Sequence, residues 1–359
     1  MNKLTKLSAS RIKTAQNCSW SYWCNYKLKL PDSGNDGASR GTICHNVFEL
    51  LGDKHKSEFN KIIKEGTIWN TSVVASQVKK EANELCVDDE ENLELIDQMI
   101  VAGLRFDFFG DENEKPIDSE SERFFDLEID KPEKGIRYAI RGYIDKIFTY
   151  KDNSVVIRDF KSSKSVFKGK ELTDNLQNLI YCLATKLVSP ELFPRSEFLF
   201  LRFDLEKDIF GEAGKGYVKM DEISEEELEG FEYQLTEFQR YLDNFDEETA
   251  KSNFAANQDY PKDGTFGGPL ACGKDGYKMS RGEPVLDKNG EPILAYICPY
   301  RKPTEYYALK DKDGNLKKTS FIDEKDSLEA GEGEEIVKMQ YDGCPHWENK
   351  SKLSTFLDE

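Results

Sequence analysis

No apolar stretch in this sequence approaches the roughly 20 residues that a membrane-spanning helix needs, and the N-terminus carries no apolar leader core. The expected compartment is therefore the cytosol. No G-x-x-x-x-G-K-[ST] stretch occurs, so these residues hold no phosphate-cradling motor of that type, and no internal repeat is found. Histidine is scarce, with three in the chain. Excess positive charge is lacking too: 50 Lys and Arg stand against 68 Asp and Glu, a net charge of −18. That excludes a uniformly basic nucleic-acid binder, although the distribution matters more than the total. Residues 1–31 carry six basic side chains and no acidic one, and residues 151–170 carry six against two. The acid is concentrated in 81–133 and 204–250.

Cysteine, by contrast, is present at eight positions. In a cytosolic chain these are better read as metal ligands or buried thiols than as disulfides. The 359 residues, 38% hydrophobic and 12% aromatic, suffice for one large domain or two smaller ones with a substantial core.

Ser8 is placed to cap a helix over 10–28, and a loop follows over 31–39. A helix is expected over 40–56, with Ile43, Val47 and Leu50 or Leu51 on one face, and one or two more over 71–109. The pattern then turns to strands over 123–130, 137–150 and 154–161, the last two joined by a hairpin-like link. A helix over 172–188, a strand over 198–205 and an acidic helix over 222–249 follow. This order predicts an α/β fold, a mixed sheet with helices packed on it. Beyond about residue 250 periodicity fades, with hairpins expected at 285–294 and 307–318.

Two aspartates, Asp145 and Asp159, end apolar runs on neighbouring expected strands, and Lys161 lies two residues past the second. Residues i and i+2 of a strand share a face, so Asp159 and Lys161 project together. Paired carboxylates repel unless a cation separates them, and oxygen-rich sites suit Mg²⁺ or Mn²⁺. An ammonium beside them can orient a water or neutralise charge developing on a phosphoryl group. A lone Asp-x-Lys is more often a solvated surface pair; its company gives it weight. Upstream lies Gly41-Thr-Ile-Cys-His45, with Glu49 one helical turn on, then Gly142-Tyr-Ile-Asp145. Downstream, Gln177 and Tyr181 are four residues apart on one helix face.

This ordered set resembles the RecB-type branch of the PD-(D/E)XK nuclease family over residues 8 to about 200. The resemblance implies a restriction-endonuclease-like mixed sheet flanked by helices. His45, Asp145, Asp159 and the backbone carbonyl of Phe160 would hold Mg²⁺ or Mn²⁺, and Lys161 would be the catalytic lysine. Gln177 and Tyr181 would brace the site or contact the DNA backbone. Glu49 would orient His45 or be a surface residue. Without the family, His45 reads as an ordinary helix histidine, and Gln177 and Tyr181 as packing residues.

The likeness extends to the iron-sulfur branch, which includes the AddB nuclease domain and CRISPR-adaptation exonucleases. It implies that Cys18, Cys272, Cys298 and Cys344 hold a 4Fe-4S cluster, with Zn²⁺ as the alternative. In this branch the last three cysteines are usually closely spaced; here 25 and 45 residues separate them. Cys24 competes with Cys18, while Cys44, Cys86 and Cys182 fall on expected helices and read as small core residues.

The expected organisation is an N-terminal helical region over 1–110 with the His motif and first cysteine, a nuclease core over 111–250, and an irregular cysteine-containing region over 251–359 packing on the N-terminal helix. The expected function is a DNA nuclease, by this reading an exonuclease, in recombination, repair or phage DNA processing, in a bacterial or phage-infected cell. Its partners would be single- or double-stranded DNA and a helicase or recombination protein, with no membrane. Arg11, Lys13, Lys164 and Lys168 would track the phosphates; Trp20, Tyr22 and Trp23 would stack on bases or be buried. The competing readings are a non-catalytic DNA-binding or adaptor module with a four-cysteine metal site, which the presence of Asp145, Asp159 and Lys161 disfavours, and a zinc-stabilised scaffold.

Overall fold

The helix expected over 10–28 is interrupted at Cys18. There α1 (Ala9–Asn17) ends, Cys18 is extended, and α2 (Ser19–Tyr22) restarts before widening into a π-helical turn over Trp23–Lys27. The loop after it is shorter than expected because the Asn35 side chain accepts the Ala38 N–H and starts α3 (Asp36–Asp53) early. Three helices follow: α4 (Lys56–Glu65), α5 (Val73–Glu84) and α6 (Glu90–Arg105), the last capped by Asp89 accepting from Asn92 N. The expected meander is present as β1 (Asp118–Lys131), β2 (Ile136–Thr149) and β3 (Ser154–Lys161). Next come α7 (Leu176–Val188), β4 (Phe193–Phe200), β5 (Tyr217–Lys219), α8 (Glu225–Asp243) and α9 (Glu247–Ser252). The tail carries β6 (Met279–Ser280), β7 (Glu283–Pro284), β8 (Thr304–Lys310), β9 (Leu316–Phe321) and β10 (Glu335–Tyr341).

This computed structural model describes residues 4–32, 34–53, 55–110, 114–206, 214–252, 276–280, 282–286, 290–294 and 297–345. They form two units, one of residues 1–9 and 34–240, the other of 10–33 and 241–359.

In the first unit five strands lie in the order β1-β2-β3-β4-β5. The β3–β4 pair is parallel and the others antiparallel, so the sheet is mixed as expected. α3, α5 and α6 bury an apolar stripe (Val47, Val78, Ile100 among them) against Phe160 and Leu199 on one face. α7 covers the other, joining β3 to β4. The fourth strand begins five residues earlier than expected, and the chain turns at 201–203. Pro194, which lacks an N–H, is tolerated near its start because β5 reaches only Glu197–Leu199. The half of β2 beyond β3 would be an open edge. α8 closes part of it with side chains: Thr236 Oγ1 accepts Arg137 N at 3.1 Å and Gln239 Oε1 accepts Ala139 N at 3.0 Å.

The second unit has a three-stranded sheet of order β10-β8-β9, which contains the hairpin expected at 307–318. Its buried centre is aromatic and polar at once. The Tyr341 hydroxyl accepts from Trp20 Nε1 at 2.7 Å and donates to Tyr300 O at 2.8 Å. Trp20 and Tyr22 are buried, the second of the two roles expected for them, with Phe245 edge-on to Tyr22. Among the described residues no helix is long and apolar enough to cross a membrane.

Candidate active site

The site begins where two strands part. The β2–β3 ladder ends at the pair Lys146–Arg158. Beyond it the Asp145 carboxylate fills the split, and its Oδ2 accepts the Phe160 N–H at 2.8 Å. A side chain thus replaces a strand as partner for that backbone donor. Both motif glycines have steric reasons. A Cβ on Gly41 would lie 2.7 Å from Ser162 Oγ, so glycine lets α3 run close to the end of β3. One on Gly142 would lie 2.7 Å from the Phe125 ring, which packs edge-on against Tyr181.

One helical turn past Gly41, His45 reaches the split. Its Nε2 is 3.1 Å from the Phe160 carbonyl oxygen and its Nδ1 is 3.4 Å from Asp145 Oδ1. Ligands adjacent around an octahedral ion at 2.1 Å stand about 3 Å apart, so these spacings suit a divalent cation. A third group, Glu122 of β1, was missed by the sequence reading. Its Oε1 lies 3.9 Å from His45 Nδ1, and His45, Glu122 and Asp145 are the set of three potential ligands gathered within 4.8 Å among the described residues. Glu122 has φ 49°, a left-handed backbone inside a strand. No alternation or spacing rule in a lone sequence marks such a residue, and the expected strand began one residue later, at 123.

Asp159 and Lys161 project together as expected, and α7 meets them. Asn175 caps this helix, accepting from Gln177 N and Asn178 N, which fixes its first turn. Gln177 then spans the pair: its Oε1 accepts from Lys161 Nζ at 2.7 Å, and its Nε2 donates to Asp159 Oδ1 at 2.5 Å and to the Tyr181 hydroxyl at 2.7 Å. Lys161 Nζ also pairs with Asp159 Oδ2 at 2.5 Å.

The electrostatics describe a site short of positive charge. Burial pushes the Asp159 carboxyl up to about 6; Lys161 opposes the rise and Asp145 adds to it. Burial disfavours a charged His45, but Asp145, Glu122 and Asp159 outweigh it and hold the ring's pKa up at about 11. Tyr181 is pushed well up by burial and the same aspartates. Two carboxylates, Asp145 and Glu122, with the His45 imidazole and the Phe160 carbonyl beside it, fit a hard divalent ion such as Mg²⁺ or Mn²⁺; Asp159 is not in this group, its oxygens being taken by Gln177 and Lys161.

Glu49 is exposed on α3, and the carboxylates beside His45 are Asp145 and Glu122. Lys164 and Lys168 are exposed just past β3. Arg11 and Lys13 belong to the second unit, where the Arg11 guanidinium lies 5.0 Å from the Tyr26 ring centroid.

Within the second unit, Cys18, Cys298 and Cys344 share one neighbourhood with Cys24: burial raises the Cys24 thiol pKa, and charge on the other three would raise it further. Cys24 Sγ donates to the Tyr341 hydroxyl at 3.5 Å. Cys272 lies outside the described residues. Cys44 and Cys182 are buried on helices as expected. Cys86 is not: it is exposed, with φ 54°, in the turn after α5. The helix stops at Glu84, so the position expected inside a helix falls outside it.

Comparison with known proteins places the chain in a family. The chain is 30% identical over 181 residues to an ATP-dependent helicase/deoxyribonuclease subunit of Streptococcus mutans serotype c, and 29% identical over 183 residues to its counterpart in Streptococcus agalactiae serotype Ia. These matches cover 47% and 48% of this chain but 15% of each relative, so the chain spans a small part of their length. The family model of the PD-(D/E)XK nuclease superfamily matches residues 6–274, and the chain belongs to that superfamily.

Proposed function

We propose that this protein is a divalent-metal-dependent DNA exonuclease working in recombination, repair or phage DNA processing. The observation that supports this most is the chain of contacts joining Tyr181, Gln177, Asp159 and Lys161 beside the His45–Glu122–Asp145 group. His45, Asp145, Asp159 and the Phe160 carbonyl would hold Mg²⁺ or Mn²⁺, with Glu122 as an additional carboxylate. When bound, the ion lowers the pKa of a water and stabilises charge on the scissile phosphate and leaving oxygen. Lys161, tethered by Asp159 and Gln177, orients the attacking water and neutralises charge on the phosphoryl oxygens. Tyr181 anchors Gln177, so it positions Lys161 through one intermediary. Lys164, Lys168, Arg11 and Lys13 are assigned to the phosphate backbone.

The names of the relatives couple a helicase to a deoxyribonuclease; by analogy the partner here is a helicase that delivers an unwound strand. Cys18, Cys272, Cys298 and Cys344, with Cys24 as the alternative to Cys18, are assigned to a 4Fe-4S cluster, or to Zn²⁺.

The test is incubation of end-labelled and circular DNA, single- and double-stranded, with Mg²⁺, Mn²⁺ or EDTA. Degradation of linear substrates with a divalent ion, abolished by EDTA, is expected, with circles spared. Cleaved circles would replace the exonuclease with an endonuclease, and intact DNA throughout would end the reading.

A further inference from the structure

The long hairpin of β1 and β2 presents a series of outward cross-strand pairs. Asp130 faces Arg137 and Asp126 faces Arg141, opposite charges of the kind that solvent-facing strand positions favour, with Glu128 opposite the buried Ala139 between them. The next pair breaks the pattern: Phe124 faces Tyr143, and the rings are 49% and 55% exposed. Their centroids are 4.9 Å apart at a tilt of 43°, and the Arg141 guanidinium lies 5.7 Å from the Phe124 centroid. The inward neighbours Phe125 and Ile144 are already buried, so the core does not require these two rings.

The change from ion pairs to aromatics falls beside the carboxylates. Phe124 is two residues from Glu122 and Tyr143 two from Asp145, about 7 Å along each strand. Exposed rings cost solubility and persist where they bind something. A nucleobase has an apolar face of matching size, and stacking is indifferent to base identity. In a duplex that face is covered by neighbouring pairs, whereas an unpaired nucleotide offers it.

We propose that Phe124 and Tyr143 form a stacking platform for an unpaired base of the strand being cut, next to the scissile phosphate. This rests on the nuclease reading above and adds the form of the substrate, a single strand at the point of cleavage. The Arg141–Asp126 pair, joined by Nε to Oδ2 at 2.9 Å, stiffens one edge of the platform without adding net charge.

The test uses the full chain with single-stranded oligonucleotides carrying 2-aminopurine at successive positions, in EDTA for binding and in Mn²⁺ for cleavage. Wild type should quench the fluorophore at one or two positions. The Phe124→Ala/Tyr143→Ala variant should lose that quenching, bind roughly tenfold more weakly, and show the loss in KM rather than kcat. Tyr143→Trp keeps a ring and should retain quenching, which separates stacking from misfolding. The loss should be larger on a single strand than on a blunt duplex. Unchanged quenching and KM in the double variant, or an equal loss on both substrates, would overturn the platform and leave the nuclease reading standing. A wild type that neither binds nor cuts any DNA would remove both.

Discussion

In the first unit, His45, Glu122 and Lys161 stay partly open to water among carboxylates, while in the second Cys24 and Cys344 are buried beneath aromatics. The oxygen-rich group suits a hard ion that exchanges with solvent and touches substrate. The thiol group suits a soft centre that is bound once and kept. Placement follows the same division. The Asp145 carboxylate sits where strands part, whereas Cys24 and Cys344 are buried and Cys18 and Cys298 half-buried, with the Tyr341 hydroxyl beside Cys24 already bonded.

Three measurements would break or sharpen this contrast. The largest effect is expected in the second unit, because on the proposed four-cysteine reading metal binding there would be folding free energy, on the order of 10 kcal/mol for structural sites. Cys298→Ser with Cys344→Ser should abolish the bound metal and unfold that unit, seen as loss of visible absorbance and of protease resistance. Mn²⁺ binding in the first unit should survive. Wild-type protein that is colourless with stoichiometric zinc would make the centre Zn²⁺.

Second, Lys161→Ala should cut cleavage roughly 10²- to 10³-fold, the scale of losing one electrostatic contact to the transition state. DNA affinity should stay within about threefold, and the metal content of the second unit should not change. Cleavage near the wild-type rate would take the lysine out of the mechanism.

The smallest effect is a pH dependence. A buried carboxyl whose folded pKa lies above its unfolded value stabilises the fold while protonated and loses that contribution as pH rises. For Asp159 the window runs from about 4 to about 6. In EDTA, the stability of wild type relative to Asp159→Asn should therefore fall by at most about 3 kcal/mol across that window. Saturating Mn²⁺ should reverse the slope, because the ion competes with the proton. An identical slope in both proteins with EDTA would show that Asp159 is not held in this way.

Much of the first unit was legible because its constraints are local. Asp159 and Lys161 end β3 two residues apart, Gln177 opens α7 one turn before Tyr181, and Gly41 and Gly142 precede His45 and Asp145 by four and three residues, so short spacings relate them. Glu122 was invisible because a left-handed residue within a strand obeys no period. The start of β4 was misplaced because its first half, 193–197, carries Pro, Arg, Ser and Glu, and the burial of Ser196 and Glu197 depends on partners elsewhere in the chain, such as Arg158 for Glu197. The strands of the tail, by contrast, show in the turn residues of one hairpin, and their burial depends on groups far away in the chain, such as Trp20 against Tyr341.

The carboxylate in the split between β2 and β3 bears on the choice of an inactive enzyme for trapping complexes. Truncating Asp145 would strip the Phe160 amide of its acceptor, so any defect would mix lost chemistry with a loosened backbone. Asp145→Asn keeps an oxygen for that amide, and Lys161 makes its contacts within the site through its side chain, while its backbone carbonyl still accepts the Leu201 N–H whatever that side chain is. A dead variant meant to hold DNA as the living protein does is better made at either of these than by deleting the wedge.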